Sequence, residues 1–340
     1  MKGQRQLHVT PDQATTRLDH FLSAELPDLT RSQIKRLIDE GSVTLDEKVA
    51  KAGYKLRGGE TICVCVAEPA PVQAEAEAIP LTILYEDADL IVIDKPAGMV
   101  VHPAPGHHQG TLVNALLHHC HDLSGIGGQM RPGIVHRLDK NTSGVMVATK
   151  NDNAHNCLAR QFKSHTIERR YRALVHGVVQ CSEGKIDKPI GRHPVQRKKM
   201  TSKSRAGRHA VTHWRVLRRY DQEKLTLLDL TLETGRTHQI RVHLAEMNLP
   251  VVGDPLYGSN RKARGISDLD VRTWVETLDR QFLHAWCLGF THPDGRKMTF
   301  RSPLPVELRS IIDYLEQKYG CNPDDLAVQN SRLPTLFDRS

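Results

Sequence analysis

The chain has 340 residues, 39% apolar and 25% charged, with 47 Lys and Arg against 39 Asp and Glu and 19 His besides. That length sets two domains as the expectation; no apolar run approaches a membrane span, and the N-terminal MKGQRQLHVTPDQATTRLD lacks an apolar h-region, so neither membrane insertion nor secretion is expected. The basic excess favours a polyanionic partner, and seven cysteines without framework-like spacing fit a reducing, cytoplasmic compartment.

A first module is expected over 15–66. In RLDHFLSAEL, Leu18, Phe21, Leu22 and Leu26 mark one face of a helix. A second helix follows in LTRSQIKRLIDEG, where Thr30 caps, Gln33 completes a capping box, Leu29 staples on Ile34 and Gly41 ends the helix. It carries Arg31, Lys35 and Arg36, the first two sharing a face. Short strands are expected around Val43–Leu45 and Thr61–Val66, with Gly58-Gly59 as a turn before the second. Residues 67–80, AEPAPVQAEAEAIP, have the composition of a linker.

The second domain is expected over 81–319. ILYEDADLIVIDKPAG reads as strand, turn, strand, and TLVNALLHH and DNAHNCLARQFKSH read as helices. TIERRYRALVHG and KLTLLDLTLETG are strands, HQIRVHLAEM is a helix, and LHAWCLGFTHPDGRKMTF is a hairpin around Asp294-Gly295. PVELRSIIDYLEQKYG closes the domain as a helix, 259–275 reads as a surface insertion, and 320–340 reads as a tail prone to disorder. Strands joined by both hairpins and helices, without a βαβ rhythm, give an α+β class with a mixed, largely antiparallel sheet flanked by helices.

Chemistry concentrates in PGIVHRLDKNTSGVMVATK, where Asp139 sits among His136, Arg137 and Lys140 at a strand end. A carboxylate among cations is held in its charged form, available as a nucleophile or a base and poor as an acid. The plainer alternative is an Arg–Asp pair that fixes a turn. From Gly191 to Tyr220 the chain has ten Lys and Arg, among them Arg192, Arg197, Lys198 and Lys199, with no Asp or Glu and with Trp214 and three histidines interleaved. That run favours a surface contacting phosphates over a solvated face, which usually mixes signs. In LETGRTHQIRVHL, a turn leads into a helix whose start carries Arg236, Thr237, His238 and Arg241, a place that suits an anion and is equally the start of an ordinary basic helix. Tyr171 shares a strand face with Ile167, Ala173 and Val175, which is also the pattern of a packed aromatic. HHCHD (118–122) has ligand types without ligand spacing, so no metal is expected. By composition alone, GDPLYG (253–258) is a turn.

Taken together, Gly133–Asp139 followed by Thr142-Ser143-Gly144 resembles the catalytic motif of the RluA/RluD family of pseudouridine synthases. ERRYRALVHG, TGRTHQIRVH and GDPLYG resemble further motifs of that family, in family order. RLDHFL, SQIKRLIDEG and YKLRGGE resemble an S4 RNA-binding domain, and VVHPAPG with IGRHPVQRKKM is most similar to the RluD branch. The resemblance implies isomerisation of uridines to pseudouridine in large-subunit ribosomal RNA, without a cofactor or metal, by a monomer in the cytoplasm. It implies Asp139 as the catalytic aspartate, Tyr171 as the residue stacking on uracil and a candidate to take the C5 proton, and Arg241 as the partner of the aspartate. Arg137 is implied to expel the uridine and fill its place. His136, Arg236 and His238, the helix cations Arg31, Lys35 and Arg36, and the run Arg192, Arg197, Lys198 and Lys199 are the expected RNA contacts. Two other readings compete: an RNA-binding or ribosome assembly factor on a retired enzyme fold, which should have lost Asp139, Tyr171 or Arg241, and a hydrolase, which would need a second carboxylate or a metal site.

Overall fold

The computed structural model describes residues 3–26, 31–66, 74–104, 107–120, 122–125, 131–204, 206–258 and 260–319. The chain divides into two compact units, residues 1–72 and 73–340. The first contains β1 (Gly3–His8), α1 (Leu18–Glu25), α2 (Arg31–Asp39), β2 (Val43–Leu45), β3 (Lys48–Val49) and β4 (Thr61–Val66). Its four strands form an antiparallel sheet in the order β1-β4-β2-β3. Leu18, Phe21, Leu22 and Leu26 are buried with Ile34, Val43, Ile62 and Val64 in this unit's own core. Gly41 turns the chain after α2 at φ +73°, a left-handed conformation that favours glycine. The cap and staple expected from Thr30 and Leu29 lie outside the described residues.

The unit starts earlier than residue 15, because β1 runs the full length of β4, from Gly3 opposite Val66 to His8 opposite Thr61. Leu7 is the one large apolar residue of GQRQLH, so no period-two pattern announces this strand. Partner pairing places it.

The second unit contains β5 (Thr82–Glu86), β6 (Leu90–Lys95), α3 (Leu112–His119), β7 (Ser143–Thr149), α4 (Asp152–Lys163) and β8 (Glu168–His176). There follow β9 (Glu183–Asp187), β10 (Gly191–Arg192), β11 (Met200–Thr201), β12 (Val211–Tyr220), β13 (Leu225–Leu232) and α5 (Gln239–Glu246). The unit closes with α6 (Asn260–Ala263), α7 (Leu269–Thr277), β14 (Leu283–Thr291), β15 (Lys297–Arg301) and α8 (Val306–Tyr319). Nine strands make one mixed sheet, β5-β6-β7-β14-β8-β13-β12-β9 with β15 also on β14, antiparallel except where β7 meets β14. Alternate residues enter two apolar layers: Ile91, Ile93, Met146 and Ala148 on one face, Leu90, Val92, Val145 and Val147 on the other.

Two segments differ from their expected character. Glu77 in the expected linker accepts from Gly110 N–H through its carboxylate, and its own N–H donates to Asn114 O; Asn114 in turn donates to Glu75 O. That stretch is tied to α3, while 67–73 lies outside the described residues. The 259–275 region is built into the fold, with Ala263, Ile266, Val271 and Val275 buried in the main core and Asp268 capping α7 while pairing with Lys318. The expected tail, 320–340, lies outside the described residues.

Candidate active site

Four segments far apart in sequence converge on one cavity of about 510 Å³: the loop 131–142, the end of α4, β8, and the turn that leads from β13 into α5. Among the described residues seven Lys and Arg side chains line it, and Asp139 is its single carboxylate.

The loop carrying Asp139 is anchored on both sides of that residue. Thr142 N–H donates to Asp139 O at 3.0 Å, closing a turn. Lys95, fully buried at the end of β6, donates through Nζ to the carbonyls of Pro96, Met99 and Lys140. The Thr142 and Ser143 hydroxyls bond to the buried side chains of Gln281 (3.0 Å), His284 (2.9 Å) and Arg280 (2.8 Å). Gly144, at φ +120°, lies so close to β14 that a Cβ there would overlap the Ala285 carbonyl. The Thr-Ser-Gly run is therefore the joint between β7 and β14, and it fixes where the loop before it begins.

Arg241 in the first turn of α5 donates from Nη1 to Asp139 Oδ2 at 2.8 Å. Its other edge is held by a second carboxylate, Asp254, with Nε to Oδ2 at 2.7 Å and Nη2 to Oδ1 at 2.9 Å. Asp254 Oδ1 also accepts from the N–H groups of Leu256 and Tyr257, so the GDPLYG turn is folded around this side chain. Burial pushes the Asp254 carboxyl up, but Arg241 and those N–H groups outweigh it and hold it below its ordinary value. Burial pushes Arg241 down and the two carboxylates more than reverse that. A two-point fork leaves a guanidinium little freedom, so Asp254 aims Nη1 at Asp139. Sequence reasoning missed Asp254: it lies thirteen positions after Arg241, across helix and turn, and no spacing rule connects them.

Tyr171 stands in the cavity wall on β8, and burial pushes its phenol up to about 12. His136 lines the cavity in a different role from the expected cation. Its Nε2 accepts from Val147 N–H at 3.1 Å, its ring stacks on Phe162 at 4.7 Å, and burial, with Arg169 adding, pushes it down to about 3. It is a neutral wall element. His238 bonds to the Tyr257 hydroxyl at 2.9 Å and is lowered by burial. Arg236 lines the cavity and donates from Nε to His209 O. Arg137 is exposed and makes no hydrogen bond or ion pair with a described residue, and Arg131, Lys163 and Arg208 are exposed around the same opening.

The basic run divides. Arg192, Arg197 and Lys198 are exposed on and around the small β10–β11 hairpin, and Lys199 lies over the Tyr257 ring at 5.8 Å. None of these four lines the cavity. Arg215 and Arg219 instead serve the sheet, Arg215 facing Asp229 and Arg219 donating to the carbonyls of Val179, Gln180 and Cys181. Trp214 packs in the core over Gly184, so it is no stacking platform for bases. In the first unit Lys35 is exposed on α2; the side chains of Arg31 and Arg36 lie outside the described residues. In the HHCHD segment, His119 pairs with Glu86 at 2.8 Å, and burial pushes the adjoining Cys120 thiol up to about 11.

Comparison with known proteins agrees with this layout. Residues 89–246 match the RNA pseudouridylate synthase family model and residues 16–62 match the S4 domain. The chain is 44% identical to the uncharacterized RNA pseudouridine synthase YlyB of Bacillus subtilis, over 93% of this chain and 99% of the relative. It is 45% identical to the ribosomal large subunit pseudouridine synthase D of Nitrosomonas europaea, over 90% of this chain and 86% of the relative. The structure of human RNA pseudouridylate synthase domain containing 1 superposes with a TM-score of 0.52 at 25% identity, covering 76% of this chain and 99% of that one. With the Asp139 cavity, its arginine partner and an S4 domain ahead of it, the chain belongs to the RNA pseudouridine synthases, enzymes that isomerise uridine within RNA.

Proposed function

We propose that the protein converts specific uridines of large-subunit ribosomal RNA to pseudouridine, acting as a monomer in the cytoplasm, with Asp139 as the catalytic carboxylate. One observation carries the assignment: a lone carboxylate in a cation-ringed cavity of about 510 Å³, fixed by a guanidinium that a second carboxylate holds from behind. Two relatives at 42% and 45% identity bear the name ribosomal large subunit pseudouridine synthase D, which supports the choice of RNA.

The reaction detaches uracil from C1′, turns it and rejoins it through C5. A cavity of this size takes one nucleoside only if the nucleotide leaves its stack, at a cost of a few kcal/mol. Arg137, exposed at the opening and unpaired, takes the vacated place in the RNA, and the exposed cations beside it hold the flanking phosphates. Tyr171 receives the face of the base. With its phenol near 12 the ring carries a protonated hydroxyl at neutral pH, so removal of the C5 proton by this oxygen requires concerted loss of its own proton. Asp139 faces C1′ as the bond to N1 breaks, as nucleophile or as electrostatic partner, and Arg241 keeps it from turning away.

Incubation with RNA tritiated at uridine C5 tests the assignment, because isomerisation releases that label. Asp139→Asn is expected to abolish release while RNA affinity stays within about threefold, since phosphate contacts supply most of the binding. Undiminished release by the variant would remove Asp139 from its role.

A further inference from the structure

Arg169 stands in the cavity wall and has no anionic partner among the described residues. It is 8% exposed on β8, two residues before Tyr171 and on the same face of the strand, which puts the two side chains about 7 Å apart along the chain. Nη2 donates to the carbonyls of Leu232 (3.2 Å) and Glu233 (2.6 Å), and the guanidinium lies over the Phe162 ring at 5.6 Å. Those contacts hold the group rigidly and use one nitrogen. Among the described residues Nε is buried without a partner, Nη1 has no acceptor, and no carboxylate pairs with the side chain. Leaving a guanidinium buried without a counter-charge is costly, and burial accordingly lowers its affinity for its proton.

The fold keeps space open for this group. Gly235 lines the same cavity, and a Cβ there would lie 2.9 Å from Arg169 Nη1. A side chain at 235 would push the guanidinium aside. A positively charged donor, rigidly held and free on its cavity edge, waits for an acceptor that arrives with the substrate.

We propose that Arg169 is a catalytic residue whose Nη1 donates to a carbonyl oxygen of the extruded uracil and takes up the negative charge the base acquires on detachment. This deepens the functional reading above and rests on it. In the step concerned the N1–C1′ bond breaks with its electron pair going to uracil, whose charge spreads over N1 and the two carbonyl oxygens. The electron-poor C1′ faces the Asp139 carboxylate. When C5 attacks C1′ a new bond forms, the C5 proton is lost and N1 gains a proton, so the exchange balances without a co-reactant. A phosphate is the less suitable ligand on position: it stays on the RNA backbone at the opening, where Arg131, Arg137, Lys163 and Arg208 are exposed, whereas Arg169 is buried beside the tyrosine. A donor aimed at developing charge in a site closed to water typically contributes about 10²- to 10³-fold in rate.

The experiment compares RNA carrying uridine with RNA carrying 5-fluorouridine at the target position, in single turnovers at saturating enzyme. Fluorine makes the detached base a weaker base, so its departure depends less on the donor. Arg169→Met is expected to slow cleavage of the uridine N1–C1′ bond, read as loss of the starting nucleoside, about 10²-fold with RNA affinity within about threefold, and to slow the same cleavage in 5-fluorouridine, whose C5 has no proton to lose in the later step, at least tenfold less. Arg169→Lys should recover part of the uridine rate. Both RNAs are read on one preparation, so the ratio of losses does not depend on how much of a variant folds. Equal losses on the two RNAs, or a loss confined to affinity, would overturn the role of Arg169. Failure of the wild-type protein to release C5 tritium would instead overturn the functional reading itself.

Discussion

Arg241 serves two carboxylates, and they do different work. Asp254 is fully buried and holds both Nε and Nη2, while Asp139 takes Nη1 and keeps a side-chain exposure of 18% toward the cavity. Asp254→Asn keeps the volume but replaces one acceptor of the fork with a donor that opposes the guanidinium. Arg241 then loses its fixed aim, and a misplacement of about 1 Å costs on the order of 10²-fold in rate. The expected result is a fall in kcat with KM for RNA nearly unchanged, and Asp254→Glu should recover less activity than wild type because the GDPLYG turn is folded around the shorter side chain. A fall confined to KM would contradict a positioning role. Part of this site was legible in the residues: Asp139, Tyr171 and Arg241 stand in motifs whose order is informative, and all three line the cavity. Asp254 and Arg169 were not legible as site residues. A carboxylate in a turn and an arginine in a basic strand have ordinary local contexts, and only the tertiary fold shows what each lacks or completes.

Among the elements, the β7–β14 joint has the least tolerance. Gly144→Ala sets a methyl group against the Ala285 backbone at a positive φ, and neither strand can retreat, because Ser143 and Thr142 are bonded to buried partners across it. The expected cost is about 3 kcal/mol or more. Tryptophan fluorescence during denaturation checks it, since Trp214, Trp274 and Trp286 all belong to the second unit and report on it alone. An unchanged midpoint would show that the joint can relax. The elements legible in advance were those whose apolar residues keep a period, α1, α4, β8, β13 and α5, and the β14–β15 hairpin, which its Asp294-Gly295 turn marks. β12 was hidden because VTHWRVLRRY sits inside the basic run and its three arginines drew the reading toward phosphates, whereas those side chains pair with Asp229, Glu316 and backbone carbonyls. The 259–275 region misled for the converse reason. Its apolar residues are sparse, yet four of the six, Ala263, Ile266, Val271 and Val275, reach the core.

For the molecule as a whole, titration and modularity give two expectations. His136 is held down to about 3, and His102 and His176 to about 4, by burial foremost, while each regains an ordinary value on unfolding. Their folded values lie below the unfolded one, so the unfolded chain binds more protons between pH 6.5 and 4. Stability therefore falls as pH drops through that window, with a slope of up to about 4 kcal/mol per pH unit from about three protons. Denaturation midpoints measured from pH 7 to 5 check this, and replacing His176 with Gln should flatten the slope. The two units each have their own core, so a chain lacking residues 1–72 should still isomerise uridine while choosing sites less strictly. Mapping modified positions in ribosomal RNA decides the point: the same sites modified at the same rate would deny the first unit a part in selection.

Lys95 gives the enzyme an internal reporter. Burial pushes its amine down to about 7, and it is enclosed, donating to the carbonyls of Pro96, Met99 and Lys140, the last of these the neighbour of Asp139. An acylating reagent can reach that nitrogen only when the segments that enclose it, the turn after β6 and the Asp139 turn, move apart. The rate at which mass spectrometry finds Lys95 labelled therefore reports how often this enclosure opens, and saturation with RNA should slow it.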